Sequence, residues 1–383
     1  MTEKNTPNAN ATGDTTDGQA ANGNRRGFLK AVGTGAAVAG AGFIAGCGDK
    51  ETQPAAGKAP AVVKPKIKWR MQTYAGAALA AHVIEPSIKA FNEIADGQME
   101  IELYFADQLV PTGELFRAVQ KGTLDAVQSD EDSMAAPVDV AKFGGYFPFA
   151  TRYSLDVPAL FESYGLNEIW REAYAEVKGV TWLGAGAWDP CNFVTKKAIN
   201  SLADLKGQRI FTFPMAGKFL EKYGVVPVTL PFEDVQVALQ TGELDGIAWS
   251  GITEDYTVGW ADATEYFLTN NIAGAWIGSY VANSKSWDAL PANLQALFKV
   301  CMDSSNYYRQ HWYWAGEAKL RVEGTKLKLT SIPDEEWAQV EADAHAFWEE
   351  VAASSPRSKK VVEIIKQYNE VMAKAGKPYR YES

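Results

Sequence analysis

The chain has 383 residues, of which 46% are hydrophobic and 22% are charged, and its net charge at pH 7 is −10. This acidic balance argues against nucleic acid as a partner and against a basic membrane-binding face. The cysteines and histidines are scattered singly, without the paired spacing of zinc, haem or iron–sulfur sites, so no metal site and no required cofactor are predicted. The length after the N-terminal region suffices for two lobes, each with its own core.

Residues 1–46 are predicted to be an export signal. Arg25 and Arg26 stand before a mild apolar stretch of Ala, Gly and Val, which is typical of a twin-arginine signal. The stretch ends in Ile-Ala-Gly-Cys47, which is similar to the lipobox of bacterial lipoproteins, so Cys47 is predicted to carry a lipid; cleavage elsewhere would instead remove it. Residues 47–65 are rich in Pro, Ala and Lys and predict a flexible tether. We therefore expect a periplasmic, membrane-anchored lipoprotein.

The folded part begins with a strand, a helix and a second strand. Residues 67–73 alternate large apolar and polar side chains, residues 78–95 have helical spacing broken by Pro86, and residues 99–105 alternate again. This order is a βαβ unit with a parallel sheet, so the predicted fold class is α/β.

Residues 118–126 and 238–246 have the same pattern: a helix end, a glycine and a short strand in one register. A single copy would be an ordinary α/β connection, but two copies indicate two similarly built lobes. Ligands of such sheets lie beyond the carboxyl ends of the strands. The pattern therefore places Asp130 on one wall of a cleft and Trp249 on another.

Three helices are predicted in the last third of the chain. Residues 290–315 carry apolar and aromatic side chains at helical spacing, with no Gly or Pro between Pro291 and Gly316, which predicts a long helix that bridges both lobes. Residues 334–352 and 358–375 have amphipathic patterns and are expected to pack on the outside of the lobes.

Residues 205–211 (L-K-G-Q-R-I-F) and 227–246 (P-V-T-L-P-F-E-D-V-Q-V-A-L-Q-T-G-E-L-D-G) carry a recognisable pattern. In this order and spacing they resemble the DctP-type substrate-binding subunits of tripartite ATP-independent periplasmic (TRAP) transporters. Pro148-Phe149, the run 170–174 and Trp249 bring the resemblance closest to the branch that binds 2-oxo acids and lactate.

The resemblance implies a two-lobed periplasmic binding protein fold with a long inter-lobe helix. The lobes are expected to close around a small organic acid, an aromatic or 2-oxo or hydroxy carboxylate, and to deliver it to TRAP membrane subunits. Lobe I is expected to comprise residues 66–188 and 277–316, and lobe II residues 189–276 and 317–383.

Two other classes of function are the alternatives. A tethered extracytoplasmic ligand sensor would have the same sequence features. A secreted hydrolase or lyase is disfavoured, because the chain has no Gly-x-Ser-x-Gly, no metal-ligand spacing and no histidine within a motif. We therefore expect no catalytic residues.

Two positions depart from the family pattern. Phe211 stands where most members have an arginine that forks onto the ligand carboxylate. Ala248 stands where the 2-oxo-acid branch has a glutamate that helps to hold a metal ion, so a cation that bridges ligand and protein is disfavoured. An alternative register would use Arg209, two residues earlier on the same face of a strand. If Phe211 takes the position of the family's arginine, apolar contact with aromatic rings replaces the charged contact to the ligand. A bulkier or planar acid is then expected.

The predicted substrate-binding residues combine aromatic walls with few polar groups, as sites for apolar or planar ligands do. They are Trp249, Phe211, Asn192, Trp188, Asp189, Tyr74, Asp130, Phe213 and Arg152. Arg152 is the replacement cation in this set, with a surface or capping role as the alternative. For each aromatic residue a core position is the competing interpretation. The sequence leaves open whether Cys191 and Cys301 pair.

Overall fold

The computed structural model describes residues 67–376, so Arg25, Arg26, Cys47 and the predicted tether lie outside the described residues. The strands in chain order are β1 (Ile67–Thr73), β2 (Met99–Tyr104), β3 (Ala126–Ser129), β4 (Val180–Ala187), β5 (Cys191–Thr195), β6 (Arg209–Thr212), β7 (Val226–Val228), β8 (Gly246–Ala248), β9 (Tyr266–Ala273), β10 (Ile277–Asn283) and β11 (Lys328–Thr330).

The helices are α1 (Ala77–Val83), α2 (Glu85–Ile94), α3 (Leu115–Lys121), α4 (Asp156–Pro158), α5 (Leu166–Ala175), α6 (Pro214–Leu220), α7 (Val235–Thr241), α8 (Ile252–Thr257), α9 (Ser284–Asp288), α10 (Ala292–Glu323), α11 (Asp334–Ala352) and α12 (Pro356–Ala375). None of the helices in this part of the chain is long and apolar enough to cross a membrane.

The strands form two separate mixed sheets. The first has the order β2-β1-β3-β10-β4, in which β1 is parallel to β2 and β3, and β10 is antiparallel to β3 and β4. The second has the order β11-β9-β5-β8-β6-β7, in which β6 is parallel to β7 and β8. The chain crosses from the first sheet to the second after β4 and returns after β9. The predicted α/β fold with two lobes is confirmed.

The two sheets repeat one local design, as the sequence pattern predicted. Helices α3 and α7 end at Gly122 and Gly242, whose φ angles of 76° and 82° favour a residue without Cβ. Beyond each glycine an aspartate carboxylate, of Asp125 or Asp245, accepts a hydrogen bond of 2.8 or 2.9 Å from a backbone N–H of the neighbouring strand β1 or β6. The same turn chemistry therefore fixes β3 beside β1 and β8 beside β6.

Helix α10 is longer than predicted because Gly316 does not end it. A Cβ at Gly316 would lie 2.5 Å from the Thr253 side chain, so the glycine permits close packing of α10 on α8. Buried Arg309 of α10 donates to the carbonyls of Ala187 and Val83 and lies over the Trp188 ring. These contacts join α10 to the end of β4 and to α1.

The two C-terminal helices occur where the amphipathic pattern predicted them. Helix α11 has the predicted bounds, and α12 begins two residues before the predicted start because Ser355 caps its N-terminus through the Ser358 N–H. Helix α12 packs on α5 and on residues 159–163, which belong to the first-sheet side. The residue boundaries of the two lobes stay a prediction. Cys191 and Cys301 are buried and unpaired.

Candidate functional site

A cavity of about 260 Å³ lies at the carboxyl ends of parallel strands from both sheets. Tyr74 and Asp130 enter its wall directly after β1 and β3 of the first sheet. Phe211, in β6, and Trp249, directly after β8, enter it from the second sheet. These four residues come from the position where α/β sheets place their ligands. The cavity is therefore the candidate binding site.

Aromatic rings form much of the cavity wall. The Trp249 ring is stacked on Phe211, at 4.7 Å between ring centroids, and on Phe213, at 3.7 Å. Phe232 meets Trp249 at 6.3 Å and an interplanar angle of 61°, and meets Tyr74 of the other lobe edge-on at 6.4 Å. Such faces cover the carbon skeleton of a ligand and attract cations through their negative quadrupole faces.

Two polar atoms of residues in the cavity wall, Asp107 Oδ2 and Trp249 Nε1, are buried without a hydrogen-bond partner among residues 67–376. An unpaired buried polar atom costs about 1–3 kcal/mol, so native proteins rarely keep two in one place without a function. These atoms are the groups to which ligand donors and acceptors would bind.

The described residues of the cavity wall that can carry a charge at neutral pH are all acidic. The wall contains two carboxylates, Asp107 and Asp130, and its lining within the described residues contains no Lys, Arg or His. Asp130 is 2% exposed, and its Oδ1 accepts from the Ser133 N–H at 2.8 Å. Burial, aided by the neighbouring Asp132 and Glu131, raises the pKa of Asp130 to about 8. A cationic ligand would take the place of the Asp130 proton and pair with the ionised carboxylate, whereas the wall offers no partner to an unpaired anion.

The structure brings five of the nine predicted residues together. Tyr74, Asp130, Phe211 and Trp249 line the cavity, and Phe213 is stacked on the Trp249 ring.

Trp188 and Asp189 instead line a second cavity, of about 290 Å³, where the chain crosses between the sheets. Asn192 is buried in β5, and its Nδ2 donates to the carbonyls of Leu268 and Thr269, so its amide nitrogen holds β9 in place.

Neither candidate arginine reaches the first cavity. Arg152 lines the second cavity and forms an ion pair with Glu341 of α11. Arg209, the alternative anchor, forks onto Asp245 with bonds of 2.8 and 2.9 Å. Phe211, not Arg209, lines the cavity, as expected if Phe211 takes the position of the family's arginine. No replacement for the family's arginine is present in the lining that the structure describes.

A group of buried acids lies behind the first cavity, near the chain crossings. Asp189 accepts from Tyr146 Oη and from the Gly251 N–H, and Glu254 accepts from Tyr313 Oη at 2.8 Å. Burial raises the pKa of Glu254 to about 8, and burial together with Glu254 raises that of Asp189. The fully buried guanidinium of Arg309, which lies over the Trp188 ring, is the cation next to these acids.

The sequence interpretation missed Asp107, Ser133 and Phe232. The repeated sequence pattern could have identified two further segments of the cavity wall. If the copies at 118–126 and 238–246 are extended upstream, Pro111 aligns with Pro231. Each of these prolines stands before a 3₁₀ turn, and both line the cavity.

Residues 67–376 contain no group of three or more His, Cys, Asp or Glu placed to hold a metal ion. Ala248, where the resemblance puts a metal-holding glutamate, is buried in β8 and has no side-chain oxygen.

The two-sheet architecture, with a ligand-sized cavity between strand ends, defines a two-lobed solute receptor. The family model DctP, bacterial extracellular solute-binding protein, family 7, matches residues 83–355. The chain belongs to this family of periplasmic solute-binding proteins, whose members work with TRAP membrane subunits. The predicted family and transport class are confirmed.

Three relatives illustrate the similarity. A TRAP periplasmic solute-binding protein from Chromohalobacter salexigens DSM 3043, solved with bound (S)-(+)-2-amino-1-propanol, is 68% identical with a TM-score of 0.82, covering 83% of this chain and all of that one. The monocarboxylate 2-oxoacid-binding periplasmic protein of Nostoc sp. PCC 7120 is 26% identical, over 78% of this chain and 83% of its own length. A protein from Pseudoalteromonas atlantica T6c, with bound sodium and pyruvate, is 23% identical, with a TM-score of 0.73, over 81% and 96%; this last likeness concerns the fold.

Proposed function

We propose that this chain captures a compact solute bearing an ammonium group, of the amino-alcohol class, for delivery to TRAP membrane subunits. One observation carries the proposal: the cavity wall contains Asp107 and Asp130 among aromatic rings, without a basic residue in its described lining. Burial makes an ionised Asp130 costly, and an ammonium ligand would compensate its charge when the proton leaves. The amino alcohol bound by the relative from C. salexigens supports the same class.

The wall offers a partner for each part of such a ligand. Asp130 would accept from the ammonium group, and Trp249 Nε1, which has no described partner, would donate to a hydroxyl oxygen. The rings of Tyr74 and Phe211 would cover the carbon skeleton and add cation–π attraction. A volume of about 260 Å³ suits a small molecule.

Three ligands with the same carbon skeleton test the proposal by calorimetry: (S)-2-amino-1-propanol, L-alanine and L-lactate. We expect the amino alcohol to bind at least about tenfold more tightly than alanine, because a carboxylate has no cation to pair with in the wall. Stronger binding of lactate than of the amino alcohol would overturn the proposal. Ligand recovered unchanged after long incubation would support a receptor that is not an enzyme.

A small organic acid is the second candidate ligand, and the Nostoc relative supports it. Because Phe211 replaces the family's arginine, such an acid would need another source of positive charge. Calcium or sodium supplied with the acid would provide one, as in the relative with bound sodium and pyruvate. Titration of lactate and pyruvate with and without each cation distinguishes this candidate from the first. Only a site that binds acids through a cation would bind them more tightly when the cation is present.

The proposed localisation is the periplasmic face of a membrane, reached by twin-arginine export and held by a lipid on Cys47. Replacing Arg25 and Arg26 by Lys should block export, and Cys47→Ser should release the protein from membranes. Unchanged export of the double-lysine variant would contradict the twin-arginine route. Neighbouring genes for a small and a large multispanning membrane protein would favour transport over a sensor role.

A further inference from the structure

Asp107 is the second carboxylate of the cavity wall, and its surroundings differ from those of Asp130. It lies on the loop between β2 and the turn that leads to α3, with a left-handed φ of 58°. Its Oδ1 accepts from the Thr112 N–H at 3.0 Å, which fixes the side chain. Its Oδ2 is buried and has no hydrogen-bond partner among the described residues.

The free oxygen of Asp107 defines what the ligand must bring. An ionised carboxylate only accepts hydrogen bonds, so Oδ2 needs a donor. If Asp130 takes the ammonium group, Asp107 needs a second donor on the same small molecule. A hydroxyl or a second ammonium group supplies one, whereas an alkyl group or an ether oxygen does not.

We propose that Asp107 is a specificity-determining residue, which makes the cavity select solutes with a second hydrogen-bond donor beside the ammonium group. The selected class is vicinal amino alcohols and vicinal diamines, in preference to monoamines and amino ethers. This inference rests on the proposed function, since it assumes that an ammonium group is captured in the same cavity.

The test compares four amines in calorimetry with wild type and Asp107→Asn. They are (S)-2-amino-1-propanol, 1,2-diaminopropane, isopropylamine and 1-methoxy-2-aminopropane. In wild type the first two should bind at least about tenfold more tightly than the last two, because each leaves no unpaired buried oxygen. In Asp107→Asn this preference should fall to about threefold or less, with the ether gaining most, since an amide nitrogen donates where the carboxylate accepted.

The substitution is conservative for the fold. Asparagine tolerates a positive φ and keeps an Oδ1 for the Thr112 N–H. Asp96→Asn is the matched control, because Asp96 also has a positive φ, of 45°, but is exposed and lies outside the cavity wall. It should change no affinity by more than about twofold.

Each outcome decides a different claim. Equal binding of all four amines by wild type, or an equal loss for all four in Asp107→Asn, would overturn the role of Asp107 while leaving amine capture intact. Failure of every amine to bind would overturn the proposed function and this inference together. If Asp107→Asn does not fold, the wild-type preference alone decides, because its absence refutes the selection.

Discussion

Asp132 and Met215 connect the two lobes directly: Asp132 Oδ2 accepts a hydrogen bond of 2.8 Å from the Met215 N–H. Asp132 follows β3 of the first sheet, whereas Met215 lies in the first turn of α6, beyond β6 of the second. The first N–H groups of a helix lack partners within the helix, so an outside acceptor stabilises them. Separating the lobes would break this contact.

Removing this contact should speed ligand release. In Asp132→Ala we expect ligand to dissociate about fivefold to tenfold faster, the equivalent of about 1 kcal/mol for one hydrogen bond. Asp132→Asn keeps an acceptor oxygen and should have a smaller effect. Stopped-flow tryptophan fluorescence measures the rate, and small-angle scattering measures the closed fraction. Asp204→Asn, at an exposed turn of the second-sheet side, is the control; equal rates for Asp132→Ala and this control would contradict the role.

Amine binding should depend on pH through Asp130. Because burial raises the pKa of Asp130 to about 8, its carboxyl group is protonated in the free protein at lower pH, while an ammonium ligand needs it ionised. Affinity should therefore fall by up to about tenfold for each pH unit below 8, and above 8 it should level off until the ammonium group itself loses its proton. Glu131 and Asp132 are the neighbouring acids, and burial raises the pKa of Asp132 to about 6.

Proton release gives the direct measurement for this prediction. Calorimetry in two buffers of different ionisation enthalpy should detect nearly one proton released per ligand at pH 7 in wild type. Asp130→Asn should remove both the release and most of the affinity. Amine binding without any proton release at pH 7 would show that Asp130 is not the anchor.

Local periodicity and turn chemistry made much of the fold predictable. Strand β1 and helix α11 have the predicted bounds, because alternation and amphipathic spacing are strong there. Pro86 was expected to break a helix, and α2 does begin one residue before it, where a missing N–H costs nothing. The positions of Asp130 and Trp249 in the cleft wall were predictable because each residue directly follows a predicted strand.

The polar part of the site was less predictable, because the partner of a side chain is set by distant parts of the chain. Arg152 pairs with Glu341, and Asn192 holds carbonyls of β9, and no local pattern announces either contact. Asp107 lies on a loop without periodicity, so nothing nearby distinguishes it from a solvated aspartate. The half-burial of Asp107 and the charge of the cavity wall, on which its proposed role rests, appear only in three dimensions.

Glu131 should be a stability residue rather than a ligand contact. It is fully buried, and its Oε1 accepts from Trp170 Nε1, Tyr174 Oη and Ser279 Oγ. Glu131→Ala leaves these three donors unpaired and should lower the free energy of unfolding by about 3–5 kcal/mol. Glu131→Gln keeps the acceptor and should cost clearly less.

Urea denaturation measures the effect of Glu131, with exposed Glu172→Ala as the control that changes stability by less than about 0.5 kcal/mol. Burial raises the pKa of Glu131. Its contribution to stability is therefore full below the ordinary glutamate pKa and is lost as pH rises through the raised value. A Glu131→Ala variant as stable as the control would contradict the structural role.

Phe211 should decide between amine and acid ligands. Its ring is stacked on Trp249 at 4.7 Å and 17°, a geometry that an arginine guanidinium can also adopt. Phe211→Arg would place a cation in a wall whose described lining has none, so it would compensate Asp130 and repel an ammonium group. Bound carboxylate would regain the forked contact that the family uses.

We therefore expect Phe211→Arg to reverse the ligand preference. Binding of (S)-2-amino-1-propanol should weaken by at least about tenfold, and L-lactate should gain by a similar factor, since a hydrogen bond to a charged group contributes about 1.5–3 kcal/mol. Phe211→Leu is the control: it removes the ring without adding charge, so it should weaken both ligands and reverse nothing. Calorimetry on the three variants gives the comparison. If Phe211→Arg bound the amino alcohol as tightly as wild type and still ignored lactate, the ligand would not lie against Phe211, and the cavity between the strand ends would have to be abandoned as the binding site.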